Sequence, residues 1–160
     1  MNKRPGSPWT GRAYIWIAAG LALTGMAQMP IFKRYYIADL PGLGWLADYY
    51  LTNKLHYALA AALLAVMGFA AVRWLRDWRA RWRLTPLGLV RAALLAGLAL
   101  SGGLRVLKNR PELAFHPLTV MLVDWTHLAL AVLLGLAALA AVLSGRSAYA
   151  VSKARPRALI

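Results

Sequence analysis

The sequence predicts an all-α integral membrane protein, a four-helix bundle built from two parallel helix-hairpin repeats. Three observations carry that prediction. Of 160 residues, 61% are hydrophobic and 15% charged, which is more apolar content than a soluble core of this size needs. Four apolar stretches approach the roughly 20 residues that a spanning helix requires, and their long, non-alternating runs exclude a β-barrel. Finally, Ala19-Gly20-Leu21-Ala22-Leu23-Thr24-Gly25 recurs as Ala96-Gly97-Leu98-Ala99-Leu100-Ser101-Gly102.

The first helix is expected at about 13–32. Lys3, Arg4 and Arg12 precede it and small residues stand near Ala27, the outline of a signal peptide, but its match to the third stretch argues that it remains as a span. The outer loop that follows carries Pro41-Gly42, a turn signal, among Tyr35, Tyr36, Trp45, Tyr49 and Tyr50, which suit the headgroup level of an interfacial segment. The second helix is expected at about 51–72. Beyond it, Trp74, Trp78 and Trp82 fall on one helical stripe among arginines, predicting a helical extension lying against anionic headgroups rather than a nucleic-acid site. Thr85-Pro86 then supplies an N-cap and a first-turn proline for the third helix at about 87–107, and the fourth follows at about 118–143.

These elements make one membrane domain over residues 1–160, with repeat one at about 13–72 and repeat two at about 87–143. The copies are offset by 77 residues at the glycine motif and by 71 at a histidine, His56 against His127, that opens the second helix of each. Because each unit crosses twice, both run in the same direction, which predicts a pseudo-twofold axis along the membrane normal.

Net charge is +14, which on a soluble domain would suggest nucleic acid. Here the cations cluster at helix ends and report orientation instead. With the N-terminus inside, 13 of the Lys and Arg residues fall on inner segments and 6 on outer ones, so both termini are expected in the cytoplasm. There are no cysteines, which excludes cysteine-ligated iron-sulfur clusters, covalent c-type haem, disulfides and thiolate chemistry.

Ionisable groups within spans are costly and tend to be functional. Arg91 lies near the cytoplasmic start of helix three, where it is expected to snorkel to the surface. Asp124 stands three residues before His127 on nearly the same face, where it either orients the imidazole or sits at the interface. His56 is expected roughly 8 Å below the outer end of its helix at 1.5 Å per residue, and His127 at a similar depth. Gly25 and Gly102 come late in the outward-running helices, so two histidines and two glycines share one outer layer. Two equivalent imidazoles are what an axially ligated haem requires, and bis-histidine ligation suits electron transfer. The glycines would admit the edge of the flat ring, and Arg34, Lys54, Arg105 and Lys108 are cations available to its propionates. The alternative is that each histidine hydrogen-bonds across a helix interface while the glycines allow close packing. His116 has no counterpart in repeat one and reads as a substitute ligand, a quinone or proton group, or an ordinary surface histidine.

The four-helix layout, Leu23-Thr24-Gly25 at the outer end of helix one, and histidines at the outer ends of helices two and four resemble the cytochrome b subunits of respiratory formate dehydrogenases and nickel-iron hydrogenases. Family members commonly hold two haems, the inner one using histidines early in helix one and late in helix four. Neither the stretch from Trp9 to Tyr14 nor that from Leu128 to Ile160 contains a histidine. One haem b is therefore expected, with His56 and His127 as axial iron ligands and Gly25, Gly102, Arg34 and Arg105 lining its site. The resemblance implies an electron-transfer subunit of an oxidoreductase complex in a prokaryotic cytoplasmic membrane, not an enzyme alone. Its partners would be an extracytoplasmic iron-sulfur subunit, a catalytic dehydrogenase or reductase subunit, membrane lipid and an exchangeable quinone, with no nucleic acid. A haem-free membrane anchor or assembly subunit is the alternative from a different class.

Overall fold

The computed structural model describes residues 8–29, 39–146 and 148–153. Four helices dominate: α1 (Pro8–Ala27), α2 (Tyr49–Arg73), α3 (Pro86–Leu107) and α4 (Pro117–Leu143). Two short strands, β1 (Trp82–Leu84) and β2 (Ala150–Ser152), pair antiparallel. Three helical segments, Tyr49–Trp78, Pro86–Leu107 and Pro117–Leu143, are long and apolar enough to cross a membrane, and the chain is read as a membrane protein on that ground. Helix α1 is not among them, because its opening turns carry Trp9-Thr10-Gly11-Arg12. The chain divides into two compact units, one holding α1 and α2, the other α3, α4 and both strands.

In the first unit α1 packs against α2. It begins at Pro8 rather than near Ala13 and ends at Ala27 rather than near Phe32. A proline in the first turn loses no helical hydrogen bond. At the other end, Gln28 N donates to Gly25 O at 3.3 Å and Met29 N to Met26 O at 2.9 Å, tightening the chain out of α geometry, and Pro30 lacks the N–H needed to continue. Further on, Leu43 N donates to Leu40 O at 2.9 Å across Pro41-Gly42, with Gly42 at φ +83°. That is the third position of a type II turn, where glycine carries no steric penalty. A 3-10 turn at Gly44–Ala47 then packs on α1 and α2 and buries Leu46, so this segment is anchored to its own helix pair as well as bearing aromatics. Asp48 caps α2 by accepting from Leu51 N at 3.0 Å, and the buried Thr52 hydroxyl donates back to Asp48 O at 2.9 Å.

Beyond Arg73 the helix widens into a π turn at Trp74–Trp78, steadied by an Arg73–Asp77 ion pair at 3.2 Å. The expected helical stripe stops there. Trp82 lies in β1, not on a continuing helix, because residues 79–81 form a turn and the following segment finds a strand partner near the end of the chain.

In the second unit α3 packs against α4. Thr85 caps α3 as expected, accepting from Gly88 N at 2.9 Å with Pro86 in the first turn. The same hydroxyl donates to Ala148 O at 3.0 Å, tying the helix start to the chain that follows α4. That chain crosses so close to Gly88 that a Cβ there would lie 2.1 Å from Tyr149 O. Arg91 does not snorkel outward. It is buried, with its guanidinium carbon 3.9 Å from the centroid of the Tyr149 ring. A weakly hydrated guanidinium over an aromatic face is partly compensated for leaving water. His116 caps α4 by accepting at Nδ1 from Leu118 N at 3.3 Å.

Among the described residues, the buried side chains of the helices include Thr24, Thr52, Ser101 and Arg91, while Trp16, Leu100, Trp125 and Leu143 are exposed. This inverts the soluble pattern and suits helices surrounded by lipid, where hydroxyls bond across interfaces.

Candidate functional site

The Gly motif and the histidines meet inside each helix pair. Thr24 stands on α1 opposite His56 of α2, and its Oγ1 lies 2.9 Å from His56 Nδ1. Ser101 stands on α3 opposite His127 of α4, and its Oγ lies 2.9 Å from His127 Nδ1. The neighbouring glycines agree as closely: a Cβ on Gly25 would come 3.4 Å from His56 Cε1, and one on Gly102 would come 3.4 Å from His127 Cε1. One turn deeper, Gly20 faces Leu59 and Gly97 faces Leu130. The sequence match thus corresponds to the same contacts in both units.

The hydroxyls also bond within their own helices. Thr24 Oγ1 donates to Gly20 O at 2.8 Å. Ser101 Oγ likewise donates within its own helix, to Leu98 O at 3.3 Å. Each imidazole is thereby held through Nδ1, as in a metal-ligating histidine whose other nitrogen is fixed by a hydrogen bond. Gly25 and Gly102 lie against the imidazoles themselves, holding open the space that the rings occupy.

Helix α4 adds a charged cluster. Asp124 accepts from Arg105 Nε at 2.9 Å and also pairs with Lys108 Nζ, both from α3. Its carboxylate therefore bonds two cations on the facing helix. Arg105 and Lys108 already engage one carboxylate, which is the chemistry a propionate would present. Arg34 lies outside the described residues. Lys54 is exposed on α2. Counted back by the offsets of 77 and 71 residues, the counterparts of Arg105 and Asp124 are Gln28 and Asn53. Gln28 Nε2 is buried without a hydrogen-bond partner among the described residues. One helix pair thus carries an ion cluster where the other carries neutral amides, a difference the sequence contained but that matters only once Arg105 and Asp124 are seen in contact.

Among the described residues no three His, Cys, Asp or Glu side chains gather as a metal site, so a multi-ligand protein cage has no support there. Each histidine hydrogen-bonds across a helix interface, as the alternative reading of the sequence expects, but Thr24 and Ser101 were not anticipated as the partners. The signal for them was present in the aligned hydroxyls of the two motifs. No family model, curated protein or solved structure matches the chain.

Proposed function

We propose that this chain is a membrane-anchoring b-type cytochrome subunit of a respiratory oxidoreductase complex in a prokaryotic cytoplasmic membrane. On this reading it relays electrons between an extracytoplasmic iron-sulfur partner and the quinone pool through one haem. The two helix pairs are duplicated hairpins, four spans in all, and both termini are cytoplasmic. The carrying observation is the recurrence of one hydroxyl–imidazole pair, Thr24 with His56 and Ser101 with His127, at 2.9 Å in each unit.

The donor set fits the group. Each hairpin offers one imidazole whose Nδ1 is held by a hydroxyl, and iron accepts a pair of imidazoles. Held by His56 and His127, a haem would supply a one-electron carrier. Thr24 and Ser101 orient the ligands, while Gly25 and Gly102 leave room for the rings. Arg105 and Lys108, held by Asp124, keep positive charge beside His127 for the carboxylates of the group. The four-helix layout also resembles the cytochrome b subunits of formate dehydrogenases and nickel-iron hydrogenases, which supports the quinone and the iron-sulfur and catalytic partner subunits.

The purified protein is expected to give a reduced-minus-oxidised spectrum with a b-type α band, and His56→Ala and His127→Ala are each expected to lose the bound haem. A native protein without that band is the haem-free anchor instead. Unchanged haem in both variants removes these histidines as ligands.

A further inference from the structure

The ladder of β1 with β2 gathers positive charge that no Asp or Glu among the described residues neutralises. Trp82 pairs with Ser152, Arg83 with Val151 and Leu84 with Ala150. The register is extended by Lys153 N donating to Arg81 O at 2.9 Å, and Lys153 Nζ donates to Arg79 O at 2.7 Å. In β1 the side chains alternate: Trp82 and Leu84 are half-buried and Arg83 between them is exposed. Arg79, Arg81, Arg146 and Lys153 are exposed as well. No Asp or Glu occurs between Asp77 and Glu112 or after Asp124, and the ion pairs of the described residues leave Arg79, Arg81, Arg83 and Arg146 without a carboxylate.

The ladder is also fixed in place. Thr85 Oγ1 bonds Ala148 O, Thr85 N bonds Tyr149 O at 2.9 Å, and the Tyr149 ring covers buried Arg91. These contacts hold it at the first turn of α3, a helix apolar and long enough to span, so its arginines stand where lipid headgroups begin. Guanidinium groups bind phosphate by paired hydrogen bonds, and an indole beside them is suited to the same depth.

We propose that the β1–β2 ladder is a binding site for the phosphodiester of an anionic phospholipid, with Arg81, Arg83 and Lys153 as its cations and Trp82 against the acyl region. It is independent of the haem reading, since a haem-free anchor would carry the same ladder.

The full chain, purified in neutral detergent, is titrated with cardiolipin, phosphatidylglycerol or phosphatidylcholine, and bound lipid is counted by native mass spectrometry. Wild-type protein is expected to retain the two anionic lipids, to release them as salt rises, and to hold neither phosphatidylcholine nor inorganic phosphate comparably. The double variant R81Q/R83Q is expected to bind at least about tenfold more weakly, two cations near a lipid surface contributing about 1 kcal/mol each. R81K/R83K, which keeps the charge, is expected to stay closer to wild type and provides the comparison if the glutamine variant folds poorly. Unchanged anionic-lipid binding in folded R81Q/R83Q, equal binding of phosphatidylcholine, or salt-independent retention by wild type would overturn the proposal.

Discussion

At the residue scale, a single hydroxyl performs two tasks at each histidine. Thr24 bonds Gly20 O within its own helix and His56 Nδ1 on α2. Replacing it by valine keeps the shape but leaves Nδ1 without this hydrogen-bond partner in an apolar setting, a cost of about 1–3 kcal/mol. Thr24→Val is therefore expected to lower the thermal midpoint and, on the cytochrome reading, to shift the haem midpoint potential, while Thr24→Ser restores both. A potential and a stability identical to wild type in Thr24→Val would show that the hydroxyl does not orient the ring. Asp124 illustrates a different point. From spacing alone it was a candidate to orient His127, yet it accepts from Arg105 and Lys108 across the helix pair. Helical spacing places side chains on a face but says nothing about the cations on the helix opposite.

At the element scale, the helices were legible because the membrane imposes a long apolar run on each, and the cap of α3 was legible in Thr85-Pro86, whereas the capping roles of Asp48 and His116 were not. The ends of α1 were less so. An apolar stretch continues past Ala27, and only the tightening of Gln28 and Met29 ahead of Pro30 stops the helix. The strands were not legible at all. β1 and β2 have three residues each and lie some seventy apart in the chain, so neither carries a period long enough to register, and Trp74, Trp78 and Trp82 happened to satisfy a helical spacing instead. The tightest test of this element is Gly88→Ala, which would set a methyl 2.1 Å from Tyr149 O. Backbone cannot yield there without detaching, so the variant is expected to release residues 148–153. Faster amide exchange across the ladder, with α3 and α4 still protected, is the expected readout, and wild-type protection there would refute the packing.

At the scale of the whole molecule, three helical segments are long and apolar enough to span and α1 is the element on which topology turns. If α1 spans, the proposed arrangement has both termini in the cytoplasm and the segments at 39–48 and 108–116 outside. A C-terminal fluorescent protein is then expected to fluoresce, an N-terminal one likewise, and alkaline phosphatase inserted at 108–116 to be active. An N-terminus reporting from the opposite side to the C-terminus would show that α1 lies at the interface, and the four-span count would fall.

The sequence by itself determined that this chain is helical and membrane-bound, that Thr85 caps α3, and that two segments share one motif, because apolar length and residue identity are local properties. Only the tertiary structure decided what each motif touches. Thr24 and Ser101 meet histidines, Arg105 and Lys108 meet Asp124, and Tyr149 covers Arg91. Such pairings depend on the register between elements, which is set by close approach at small residues such as Gly25, Gly88 and Gly102, and no periodicity within one helix contains it.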